Sequence, residues 1–220
     1  MLNMVKMISV IFDMDGTLLD TQRICIPAWE ECGRNQGIEG MGKDIRKVCG
    51  MNEIGWTKYI ENKYPEIDVL KFKQDVSDFY RKNNPPIRYM NGARELLDYF
   101  KGKNIKMAIA SGSSSYSVEH HLNEVNAMGY FSAFACGAEV EKGKPEPDIF
   151  LLAAERLGVK PETCFVFEDS PLGIIAANKA GMKAIGVPDV AYFSEEIKAE
   201  CFAVLSSLKE AIPLFEEILK

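Results

Sequence analysis

Two aspartates one residue apart, Asp13 and Asp15, close the apolar run Val10, Ile11, Phe12 in the stretch VIFDMDGTLLD. A run of that kind ends a buried strand, and carboxylates buried there cost free energy unless something pairs with them. A metal ion is the first partner to consider. Two other apolar runs end on polar groups: MAIA is followed by Ser111 and Gly112, and CFVF by Glu168 and Asp169. Carboxylate oxygens with few histidines or cysteines nearby suit a hard cation such as magnesium. The stretch ASGSSS, residues 110–115, precedes a helical pattern, where backbone amides and hydroxyls make an anion site. Lys144, in EKGKPEPDIF, stands in a stiff loop before another helix, placed to balance the carboxylates and a phosphoryl group.

For these groups to meet, the elements behind them must run in parallel. Short buried-strand patterns recur at ISVIF, IKMAIA, FSAFAC, CFVFED, KAIGV and CFAVL, and helical patterns lie between them, such as Ala93, Leu96, Leu97 and Phe100. That alternation predicts an α/β fold, a doubly wound parallel sheet whose ligands bind beyond the carboxyl ends of its strands. Residues 20–87 break the rhythm. Trp29 and Cys32, then Trp56, Tyr59 and Ile60, then Val69, Phe72, Val76 and Phe79 recur at helical spacing without a strand, which predicts a helical insert. Pro27 should start or kink its first helix. The core is then expected from residues 1–19 and 88–220, with NNPPIRYMNG as the return linker.

The 220 residues are 47% hydrophobic and 26% charged, as in a globular protein with a sizeable core. Of a formal net charge of −6, residues 20–87 contribute nothing, with 11 basic and 11 acidic residues, so the acidic excess lies in the part that carries the aspartate pair. No Lys/Arg block appears, which disfavours a nucleic-acid or anionic-membrane partner. Six scattered cysteines without a C-x-x-C pair, behind an N-terminus with no apolar signal core, read as reduced packing thiols in a cytoplasmic protein.

In this order, DMDGTL, ASG, GKPEPDIF and FEDS resemble the four motifs of the haloacid dehalogenase superfamily. The likeness covers nearly the whole chain, and FEDSPLGIIAANKAGMKAIGV together with the helical insert is similar to the β-phosphoglucomutase-like phosphatases, whose insert is a cap domain. The resemblance implies that Asp13 is a nucleophile forming an aspartyl-phosphate and that Asp15 is the general acid and base. Two residues apart on an extended backbone, both side chains would point the same way. It further implies magnesium held by the Asp13 carboxylate, the Asp15 backbone carbonyl and Asp169, with Glu168 as an additional or more distant ligand. Ser111, Gly112 and Lys144 would bind the phosphoryl oxygens. Dehalogenases that attack carbon lack the second aspartate, so Asp15 favours phosphoryl transfer.

The implied activity is a magnesium-dependent phosphatase of a small phosphorylated metabolite, a sugar phosphate or nucleoside monophosphate, acting as a monomer or small homo-oligomer. A phosphosugar mutase is the alternative, with a non-catalytic metal- or phosphate-binding module behind it. The mutase of the group carries a hinge histidine, and a lysine and an arginine flank a glycine in its specificity loop. Here the hinge position is Cys25, and Cys49 and Glu53 lie around Gly50, with Arg46 and Lys47 as the nearby cations. Trp29, Trp56 and Tyr59 are expected as packing in the insert, His120 and His121 on the surface, and Met4, Met7 and Met14 near the first strand.

Overall fold

Ser9–Phe12 forms strand β1, and its residues Val10, Ile11 and Phe12 have no solvent exposure. A strand covered on both faces needs no polar alternation, which accounts for the continuous apolar run. The computed structural model describes residues 8–220. Met4 and Met7 lie outside them, whereas Met14 is fully buried.

Among the described residues, β1 is joined by β2 (Lys106–Ser111), β3 (Ala133–Cys136), β4 (Cys164–Glu168), β5 (Lys183–Gly186) and β6 (Ala203–Val204). They form one parallel sheet in the spatial order β3-β2-β1-β4-β5-β6. β1 is central, with Val10 opposite Met107 of β2 and Phe165 of β4. The chain leaves β1 for a neighbour on one side and later supplies a neighbour on the other, so a crevice opens at the carboxyl ends of β1, β2 and β4. The pattern CFAVL yields only the two residues of β6, at the sheet edge, with Phe202 and Val204 partly exposed. A short edge strand leaves few backbone groups open to pairing with another chain.

Helices α1 (Gln22–Arg34), α2 (Ile45–Val48), α3 (Glu53–Lys63) and α4 (Val69–Asn83) follow β1, and α5 (Ala93–Gly102) leads into β2. The remaining helices α6 (Ser115–Glu124), α7 (Asp148–Leu157), α8 (Pro171–Lys179), α9 (Glu195–Glu200) and α10 (Ala211–Ile218) alternate with the strands or close the chain. Successive β1 side chains face opposite ways. Val10 and Phe12 pack with Leu96, Leu97 and Phe100 of α5 and Phe215 of α10. Ile11 packs on the other face with Ile149 and Phe150 of α7 and Ile174 of α8.

Helices α1 to α4 have an apolar cluster of their own, in which the Trp29 ring lies 5.3 Å from Phe72 and 5.5 Å from Trp56. Ala191, from the chain after β5, joins it. Pro27 neither starts nor ends α1; it stands in the second turn, where its missing amide leaves the Arg23 carbonyl without a helical partner. The outgoing and returning connections run side by side: the Asp20 amide donates to the Arg88 carbonyl and the Met90 amide to the Leu18 carbonyl, each at 2.9 Å. His120 is exposed as expected, but His121 is half-buried, its Nδ1 without a hydrogen-bond partner and its pKa lowered chiefly by burial. Three residues past the buried Val118, it flanks the inward face of α6.

Candidate active site

The ends of β1, β2 and β4 and the loop after β3 bring one set of polar groups together. Asp13, Lys144, Glu168 and Asp169 are each 5% exposed or less. Lys144 Nζ donates to Asp13 Oδ1 at 2.5 Å and to Glu168 Oε1, and it approaches the Ala110 carbonyl at 3.3 Å. The other Glu168 oxygen accepts from the amide and hydroxyl of Ser170, at 3.0 and 2.9 Å. Both Glu168 oxygens are therefore engaged beside the lysine. Ser170 in turn caps α8, accepting from the Gly173 amide.

Asp13 and Asp15 have separate partners. The carboxylate of Asp15 accepts from the hydroxyls of Thr21 (2.6 Å), Ser113 (2.8 Å) and Ser111 (3.1 Å). Ser111, expected toward a phosphoryl group, spends its hydroxyl on Asp15 here. The strand ends at Phe12, and Gly16 turns the backbone with φ +89°, so simple alternation no longer sets the direction of Asp15. A side chain at Gly16 would also sit 2.6 Å from Asp169 Oδ2, which leaves glycine alone fitting there.

Asp169 is held by residues that sequence reasoning did not single out. Thr17 Oγ1 donates to its Oδ1 at 3.0 Å, and Gln22 Nε2 donates to its Oδ2 at 2.8 Å. The same Gln22 nitrogen donates to the Asp15 backbone carbonyl at 2.6 Å. Gln22 Oε1 accepts from Cys49 Sγ at 2.8 Å. Burial, then the charge of Asp169, raises the Cys49 pKa, so the sulfur stays a thiol donor. Thr17 stands inside the DMDGTL motif, whereas the only sequence signal for Gln22 is its closeness to the aspartate pair.

Loop residues 49–52, between α2 and α3, lie over this cluster. Gly50 has φ +81°, and a Cβ on it would meet Ser170 Oγ at 2.4 Å. A Cβ on Gly112 would meet the Met51 carbonyl at 2.8 Å, and one on Gly143 would meet the Asn52 amide carbon at the same distance. Asn52 is itself the cap of α3. Beside the loop, Arg23 of α1 pairs with Asp189 after β5.

The electrostatics are lopsided. Three buried carboxylates, Asp13, Glu168 and Asp169, share one buried ammonium, Lys144. Burial, with the charges of Glu168 and Asp15 added and that of Lys144 opposing, pushes Asp13 up to about 8. Asp169 is raised by burial and by Glu168 and Asp13. Lys144 loses by burial but gains more from Asp13 and Glu168, and ends above the ordinary lysine range. Among the described residues no three histidine, cysteine, aspartate or glutamate side chains converge on one metal position. The oxygen donors and the missing positive charge nevertheless fit a hard divalent cation when a backbone carbonyl is counted among them.

The sequence profile of the haloacid dehalogenase-like hydrolases matches residues 10–187. A phosphorylated carbohydrates phosphatase of Thermotoga maritima is 34% identical, with 80% of this chain and 83% of that protein aligned. A probable pseudouridine-5'-phosphatase of Drosophila melanogaster is also 34% identical, over 94% of this chain and 93% of its own. The β-phosphoglucomutase of Bacillus subtilis is 32% identical over 81% of this chain and 82% of its own. In three dimensions, a putative β-phosphoglucomutase from Thermotoga maritima superposes with a TM-score of 0.75 at 29% identity, covering 96% of this chain and all of that one.

Proposed function

The chain belongs to the haloacid dehalogenase-like hydrolases, and from that premise we propose that it is a magnesium-dependent phosphatase of small phosphorylated metabolites, with Asp13 as nucleophile. The observation that carries the reading is the buried cluster of Asp13, Glu168 and Asp169 around the single ammonium of Lys144. A structural core gains nothing from holding Asp13 and Asp169 above the ordinary carboxylate range, whereas a site that receives a cation and a phosphoryl group does.

In this reading the Asp13 carboxylate attacks phosphorus and the leaving alcohol takes a proton from Asp15, which then withdraws one from water. The hydroxyls of Thr21 and Ser113 fix Asp15 for both transfers. Lys144 holds Asp13 in place and offers positive charge to the phosphoryl oxygens, joined by the Gly112 amide and by Ser111 once its hydroxyl turns from Asp15. The Asp13 carboxylate, the Asp15 carbonyl and Asp169 would hold magnesium, with Glu168 more distant behind Lys144. Magnesium supplies charge neutralisation that lets an anionic substrate approach an anionic nucleophile.

Residues 20–87 act as the cap, and loop residues 49–52 exclude water and select the leaving group. Two of the relatives named above are a phosphorylated carbohydrates phosphatase and a probable pseudouridine-5'-phosphatase, which supports a sugar phosphate or nucleoside monophosphate as substrate. A mutase would need cap cations facing the site. Arg46 and Lys47 are exposed, while the inward position is taken by the buried Cys49, which favours transfer to water.

The test is phosphate release from sugar phosphates, nucleotides and phosphorylated acids, with and without magnesium. We expect magnesium-dependent release concentrated on one substrate class, and none from Asp13→Asn. Equal release by that variant would remove Asp13 as nucleophile.

A further inference from the structure

Gln22 occupies a position that the chemistry of the site reserves for something else. Its side chain is buried, and its amide nitrogen lies 2.6 Å from the Asp15 carbonyl and 2.8 Å from Asp169 Oδ2. Magnesium binds oxygens at about 2.0–2.1 Å and uses the lone pairs that amide hydrogens use. A cation shared by the Asp15 carbonyl and Asp169 therefore competes with the two N–H groups of Gln22. The amide is also held from the far side, where Oε1 shares the single S–H of Cys49, in the loop between α2 and α3, with the Ile45 carbonyl, at 2.8 and 2.9 Å. Gln22 is the first residue of α1, directly after the connection from the core to the helical segment. One amide group thus links that loop, the hinge helix and two cation-binding oxygens.

We propose that Gln22 is a displaceable placeholder for the divalent cation, holding the metal-free site closed and leaving the Asp15 carbonyl and Asp169 when the metal enters. The inference rests on the metal reading above and adds a residue that sets metal affinity. It also makes loop and metal reciprocal. Contacts that seat residues 49–52 strengthen the Cys49–Gln22 bond and weaken the cation, and the cation loosens the loop by the same factor.

The experiment is isothermal titration of magnesium into metal-stripped protein without substrate. Gln22→Ala gives up two hydrogen bonds that the metal must otherwise displace, and such bonds correspond to about a tenfold tighter Kd. Gln22→Glu replaces the competing donor with an anionic oxygen and should tighten binding at least as far. Cys49→Ala reads the same latch from the loop side, keeps the Gln22 amide, and should tighten Kd by a smaller factor, so a misfolded Gln22→Ala leaves the test intact. Unchanged affinity in all three overturns the placeholder. Weaker binding in Gln22→Ala overturns it differently, by making Gln22 a ligand through Oε1. Titrations with no binding in wild type and variants alike overturn the metal reading itself and the placeholder with it, an outcome distinct from the other two.

Discussion

Lys144 faces more negative charge than one ammonium can balance, and that fixes what its removal does. Lys144→Ala leaves Asp13 and Glu168 buried without their shared partner. Breaking a buried pair costs about 3–5 kcal/mol, or roughly 6–20 °C in melting temperature for a chain of this size. We expect that fall, recovered in part by magnesium, together with loss of turnover; a melting temperature within a degree of wild type would show that the ammonium does not hold the cluster. Asp13, Asp15, Lys144, Glu168 and Asp169 were legible in the sequence because each stands at the end of an apolar run or in a stiff loop. Gln22 was not, nor were the parts that Thr17 and Ser113 play within DMDGTL and ASGSSS. Their roles are hydrogen bonds to residues as far as 152 positions away in the chain, and no local pattern distinguishes a threonine or glutamine that makes one from a threonine or glutamine that does not.

At the level of elements, the loop between α2 and α3 meets the core where side chains are missing. Gly50 needs both its left-handed backbone and its empty space, because Ser170 opposite is committed to Glu168 and to the cap of α8. For Gly50→Ala, the left-handed conformation alone costs about 1–2 kcal/mol, about tenfold in the population with the loop seated. The expected results are a matching fall in kcat/KM and an increased radius of gyration in small-angle scattering. Unchanged scattering with unchanged kcat/KM would mean that the loop does not close over the site. The strands and most helices were readable from apolar runs and helical spacing, as with Ile149 to Leu157 ending at Gly158. Strand β6 was readable as well, in CFAVL, but its length of two residues was not, because an apolar run does not record how far a neighbour offers hydrogen bonds. Of the two expectations for Pro27, the helix start is excluded: the buried Gln22 before it and Ala28, Trp29 and Cys32 after it carry the helix through that turn.

Across the whole molecule, the carboxylate cluster should couple stability to pH and, in the proposed function, to metal. Burial pushes the Asp13 pKa up to about 8 in the folded protein, against about 3.8 for an aspartate in the unfolded chain, so the folded state keeps a proton that the unfolded chain releases. Metal-free stability should therefore fall as pH rises from about 4 to about 8. A cation replaces the proton, so saturating magnesium should flatten that fall, and magnesium affinity should climb over the same interval. Thermal melts across that range with magnesium or a chelator read both, and a chelated protein as stable at pH 8 as at pH 5 would contradict the charge assignment. The order of the strands has a separate consequence, for biosynthesis. β1 is made first, yet β2 and β4, the strands that flank it, arrive only near residues 106 and 164. At about 5–20 residues per second, its bare apolar edges wait roughly 10–30 s for the second neighbour. The centre of the finished sheet is therefore the segment of the nascent chain that most needs a chaperone's cover.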